Sequence, residues 1–264
     1  MRGVARHVLL VALVLGAAGC SPAALAPEEI VPAFIAASQD AARTMRMEWQ
    51  GTMAIAQSDM PEVDPGMGNQ AIDATFDFNG PDFAGEMRTG LGGSTNSVSY
   101  AQVGGIAFIN FGDSGWQRAD SFGGASVVPE MDPFHGLTAA DVAYEAPDTL
   151  NDRPVHRLRV LDPLATLSGG LFGQMGEIDP SLVENGVSEF VIYVDANAIP
   201  VGAHVALDMS MNWMAPDVND GAKINYQIRF DYTFSLWGEP VTISPPQVTN
   251  GGGFDDFSDG QPRQ

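Results

Sequence analysis

With one cysteine, four histidines and 33 acidic residues in 264, the chain has few places for covalent or metal chemistry. The sharpest nucleophile candidate is the serine of Gly112-Asp-Ser-Gly115. A serine needs a base to take its proton, and the histidines beyond the N-terminal segment, His135, His156 and His204, all follow it in the chain. In the chymotrypsin-like arrangement the histidine comes first, and a further glycine stands where this chain has Trp116. No Gly-x-Ser-x-Gly turn occurs either. A hairpin turn explains these glycines more simply. The histidines are too dispersed for a zinc site, and Asp255, Asp256 and Asp259 lack the spacing of a calcium loop. The sequence therefore predicts no enzyme, no metal and no cofactor.

Cys20 stands apart because of what precedes it. Arg2 and Arg6 open the chain, residues 8–19 are apolar, and Leu15-Gly-Ala-Ala-Gly19 leads straight into the cysteine. A basic start, a short apolar core and small residues mark a cleaved export signal. The apolar run is also shorter than the roughly 20 residues that a spanning helix needs. The arrangement resembles a bacterial lipoprotein signal, with Ala17 where most such signals carry leucine. That resemblance implies cleavage before Cys20, lipidation of Cys20 through a thioether, and anchoring on the extracytoplasmic face of the cell membrane. Residues 1–19 are then signal, 20–27 a lipidated tether, 28–246 the folded domain, and 247–264 a glycine-rich, acidic, disordered tail.

Removing Arg2 and Arg6 with the signal leaves 10 basic residues against 33 acidic ones. Nucleic acid and anionic headgroups both require a basic footprint, so neither is an expected partner. Hydrophobic residues at 45% with only 17% charged support a real core.

The elements begin with a helix from Glu28 to Arg43, with Ile30, Phe34, Ala37 and Ala41 on one face and Pro32 in its first turn. From Met45 the period becomes two. Met45, Met47, Trp49, Met53 and Ile55 point one way over a strand long enough to need a bend, expected at Gly51. Ile72, Ala74, Phe76 and Phe78 alternate next, and Asn79-Gly80 supplies a hairpin before Phe83 and Met87. Val98, Tyr100 and residues 106–111 continue the meander. Asp132-Pro133, Asp162-Pro163 and Asp179-Pro180 each suit a helix start, and the apolar residues after them, including Phe134, Leu137 and Val183, predict short helices or helical turns around a strand at 155–160. Three strands close the domain, at 190–194, 201–213 and 223–234, the last two alternating throughout.

These patterns predict an α+β fold, a curved antiparallel sheet forming an open half-barrel that cups a few short helices. The entry Ala41-Ala-Arg-Thr-Met-Arg-Met-Glu-Trp-Gln-Gly-Thr52, the hairpin Gly104-Gly-Ile-Ala-Phe-Ile-Asn110 and the ending Trp237-Gly-Glu-Pro240 resemble the lipid-binding lipoproteins of mycobacterial type. Those proteins share the half-barrel of the periplasmic lipoprotein carriers. The resemblance implies a non-catalytic protein that holds or carries an acyl lipid or glycolipid and meets another envelope transport protein. It makes Met45, Met47, Trp49, Met53, Ile55, Phe76 and Phe78 the candidates for lining a cavity. Two departures bear on ligand size, the acidic insertion 58–69 and the weak glycine-rich stretch 90–96. The competing expectation is a scaffold lipoprotein whose core is filled and whose acidic loops meet a protein or cationic partner.

Overall fold

The structure is a computed structural model that describes residues 25–40, 42–58, 69–91, 94–112, 115–119, 133–134, 136–163, 166, 183–184, 188–213 and 222–248. The expected signal, Cys20, Ser114, His135, most of the acidic insertion and the tail beyond Val248 lie outside these residues. So do Asp132, Asp179-Pro180 and most of the apolar residues expected to form helices after them.

Helix α1 spans Pro27–Ser38. Pro27 opens it, where a missing N–H costs nothing, and the Glu29 carboxylate accepts a hydrogen bond from the Ala26 N–H at 2.9 Å. It ends five residues before the expected Arg43, yet Arg43 still serves the helix by donating to the carbonyl of Ser38. Pro32 falls in the second turn rather than the first, at an exposed position of the helix. The buried face is Ile30 and Phe34, each worth roughly 1.5–3 kcal/mol.

The strands are β1 Thr44–Ser58, β2 Gln70–Asn79, β3 Asp82–Leu91, β4 Ser94–Val103, β5 Ile106–Phe111, β6 Gln117–Ala119, β7 Val142–Leu150, β8 Arg153–Val160, β9 Val183–Glu184, β10 Ser188–Val194, β11 Pro200–Trp213 and β12 Ala222–Ser235. All described pairings within the one sheet are antiparallel, in the order β6-β5-β4-β3-β2-β1-β12-β11-β10-β8-β7, with β9 paired to β11. First and last long strands therefore meet in the middle, and the outermost strands β6 and β7 do not pair with each other. The sheet is an open one, not a closed barrel. A single buried core runs along it from Ile109 on β5 to Val142 on β7 and includes Ile30 and Phe34 of α1, as a curved, twisted sheet allows. The expected fold class is the observed one.

Several local expectations need correction. The register of β1 runs unbroken through Gly51, and the irregularity falls between Ile55 and Gln57. Gly51 is instead a point of close approach: a Cβ there would lie 2.1 Å from the Arg229 carbonyl oxygen and 2.2 Å from the Phe230 ring. The hairpin after β2 turns on Gly80-Pro81, with Gly80 at φ 58°. Gly90 pairs in continuous register with Ala71 and Thr95, so it does not interrupt β3, while Gly92 and Gly93 lie outside the described residues. Phe134 and Leu137 flank a single turn, closed by the Leu137 N–H donating to the Phe134 carbonyl, and the Asp162 carbonyl accepts the N–H of Thr166 as in a helical turn. Val183 is in a strand.

Beyond β12 the chain runs back across the ends of the strands. Leu236 takes φ 55°, the Gly238 N–H donates to Thr44, the Asn79 amide donates to Val241, and Val248 bridges Trp116. Pro240, Pro245 and Pro246 keep this strap from extending the sheet.

Candidate functional site

Alternation gives the sheet two unlike faces. The outer face carries the charges, and cross-strand pairs hold them: Arg46 grips Asp77 bidentately at 2.7 and 2.9 Å, His204 meets Asp231 at 2.7 Å, and Arg157 meets Glu189 at 2.8 Å. Each carboxylate in its middle stands opposite a neutral residue, Glu48 facing Thr75 and Thr233, and Gln50 facing Asp73 and Asp231. Like charges thus avoid direct opposition. Among the described residues two hollows open on this side. One of 260 Å³ lies among those same residues, and one of 590 Å³ follows the small residues Thr52, Ala71, Gly90 and Thr95 to the rim at Met53.

The inner face is apolar, and register orders it into rows crossing the strands. At the end nearest α1, Met45 pairs with Phe78 and Phe78 with Phe83; the next row joins Phe234, Met47, Phe76, Gly85 and Tyr100. These rows are sealed. Phe34 of α1 meets Phe134 edge-on at 5.4 Å, and Phe134 meets Phe234 at 4.9 Å. Met45, Met47, Phe76 and Phe78 have 0, 1, 0 and 4% of their surface exposed. Gly85 has no side chain because the Phe76 ring occupies that space, 2.3 Å from where a Cβ would sit. Burial also pushes the phenols of Tyr100 and Tyr232 up from their ordinary range.

One row further along, the covering thins. Trp49 still has only 4% exposure, stacked on Tyr232 at 5.7 Å and edge-on to Phe230 at 5.0 Å. Its row continues through Ala74, Met87 and Val98 to Phe111. Along it Met87 and Val98 are half-buried and Phe111 is 46% exposed. Beyond that row Ile72, Met53, Ile55 and Tyr226 are also half-buried, whereas on β12 Ile228, which pairs with Met53, and Ile224 are only 1 and 4% exposed. The expected lining residues therefore divide. Met45, Met47, Phe76 and Phe78 are fully buried in the core that includes Ile30 and Phe34 of α1, Met53 and Ile55 lie in the half-buried part, and Trp49 stands between them. Ile72, Met87, Val98 and Tyr226 join the second group by register, which no single strand's alternation reveals.

Among the described residues no three His, Cys, Asp or Glu side chains come together as metal ligands. His156 faces Tyr144, with ring centroids 5.8 Å apart, and His204 lies on the opposite face.

No family model matches the chain, and no curated protein sequence matches it. Among solved structures, it is similar to LprF from Mycobacterium bovis at 11% identity and TM-score 0.40, over 83% of this chain and 96% of that one. A domain from Vibrio parahaemolyticus assigned to outer membrane lipoprotein sorting overlaps at 11% identity and TM-score 0.28, over 88% and 97%. MucB, in its complex with MucA(peri), overlaps at 8% identity and TM-score 0.28, over 80% and 94%.

Proposed function

We propose that the protein is a non-catalytic lipoprotein of the cell envelope, anchored through lipidated Cys20, that binds an acyl lipid or glycolipid against the inner face of its half-barrel. The observation that carries the reading is the uneven cover of that face. A protein that merely needs a core gains about 25 cal/mol for each Å² of apolar surface removed from water, so half-buried Met53, Ile55, Ile72, Met87 and Val98 forgo stability. Methionine's flexible thioether suits a guest of variable shape. Aromatic packing under α1 gives the opposite end a fixed wall. A carrier that releases its guest to another envelope transport protein needs one rigid half and one that exchanges its contacts.

Full burial of Met45, Met47, Phe76 and Phe78 is the observation that favours the second reading, a scaffold with a filled interior. Native mass spectrometry on a Cys20→Ala form, which has no covalent lipid, separates the two. The carrier retains an acyl lipid in a discrete stoichiometry and loses it on denaturation. Recovery of the bare polypeptide mass alone, with no binding of added diacylglycerol, defeats it.

A further inference from the structure

Trp49 has an indole Nε1–H that is buried and makes no hydrogen bond. A buried donor left unpaired costs about 1–3 kcal/mol, and native proteins seldom leave one without cause. Its described ring and register neighbours do not pair with it. The rings against it are Phe230 and Tyr232, and its register partners on either side are Ala74 and Tyr232. A buried water makes about three hydrogen bonds, and the only polar side-chain atom among these neighbours is the Tyr232 hydroxyl. The missing partner must be an acceptor that arrives attached to something apolar.

Resting on the lipid-binding reading, we infer that the Trp49 indole N–H donates a hydrogen bond to the carbonyl oxygen of an ester-linked acyl chain. An ester carbonyl is a neutral acceptor with no donor of its own, which matches one donor in an apolar row. A free fatty acid fits worse, because its carboxylate would need a buried cation. Arg46, Arg157 and Arg229 are engaged instead by carboxylates on the outer face. With the ester held at Trp49, the hydrocarbon lies over Ala74, Met87 and Val98 toward Phe111, the row along which cover falls away. Trp49 thereby sets how deep the chain sits and favours acyl over alkyl lipids.

The test compares a dipalmitoyl diacylglycerol with its dialkyl ether analogue, which keeps the chains and lacks the carbonyl oxygens. The delipidated Cys20→Ala protein should bind the ester about two- to tenfold more tightly, the worth of one hydrogen bond. The ester should also move one of its four indole N–H proton signals downfield, and the ether should leave that signal in place. Trp49→Phe keeps a ring and removes the donor, so it should bind both lipids equally, and the signal it lacks identifies Trp49. Equal affinity of the wild-type protein for both lipids, with no ester-specific shift, overturns the inference while leaving lipid binding intact. Binding of neither lipid overturns the inference and the lipid-binding reading together. The wild-type comparison decides the matter even where Trp49→Phe fails to fold.

Discussion

The two halves of the inner face are made from the same strands and the same kinds of residue, yet they are covered differently. Met45, Met47, Phe76 and Phe78 belong to the same core as Phe34 and Phe134 and lose nearly all their exposure, and Phe134 packs on Phe234, the register partner of Met47. A few residues along the same strands, Met53, Ile55 and Ile72 remain half-buried. Apolar patterning thus states which face of the sheet turns inward. What lies against each part of that face depends on elements distant in the chain.

That contrast predicts unequal responses to mutation. Phe34→Ala empties the contact between α1 and Phe134 and should cost about 3–5 kcal/mol in thermal or denaturant unfolding. In the fraction still folded, lipid binding should persist, because the sealed half is wall rather than seat. Gly51→Ala and Gly85→Ala push a methyl group into a backbone carbonyl and an aromatic ring, and should each destabilise by about 1–3 kcal/mol. Met53→Ala reverses the pattern. It should cost about 1 kcal/mol in stability while weakening retention of a bound acyl lipid in native mass spectrometry. If Met53→Ala proves as damaging to stability as Phe34→Ala, the two halves do not differ as described.

The smallest effect belongs to the outer face, which serves as a control for both halves. The Arg88 guanidinium, and then the Ser97 hydroxyl at 2.6 Å, hold the Glu86 carboxyl below its ordinary range. A group lowered on folding stabilises above its unfolded pKa of about 4.3, and that contribution disappears as pH falls through the folded value. Carboxyl NMR should show Glu86 titrating low and Ser97→Ala moving it upward. The Arg88 and Glu86 side chains are 55 and 39% exposed, so Ser97→Ala should change stability by less than about 0.5 kcal/mol and leave lipid retention unchanged.

Much of the fold was legible in the chain. Ile224, Tyr226, Ile228, Phe230, Tyr232 and Phe234 alternate without a break because one face of β12 is buried along most of its length, and they form the strand expected. β7 was not foreseen: its Ala146-Pro-Asp148 stretch is exposed at the sheet edge, where proline and a bulge beside Glu145 are tolerated and no apolar period develops. Gly51 looked like a bend because a glycine in a long strand often is one. Its cause, the approach of Arg229 and Phe230, lies in a strand far away in sequence. The candidate site was half legible for the same reason. β1 alone marks Met45 and Met53 as equivalent, and only their burial against parts of the chain distant in sequence separates them.

Photocrosslinking tests the central claim most directly. A diacylglycerol carrying a diazirine in one acyl chain, bound to the Cys20→Ala protein and irradiated, should label peptides containing Met53, Ile55, Met87 and Val98, and spare those confined to Phe34 and Phe134. Labelling concentrated at Phe34 and Phe134, or spread evenly over the charged outer face, would contradict the assignment of the thinly covered half as the seat of the lipid.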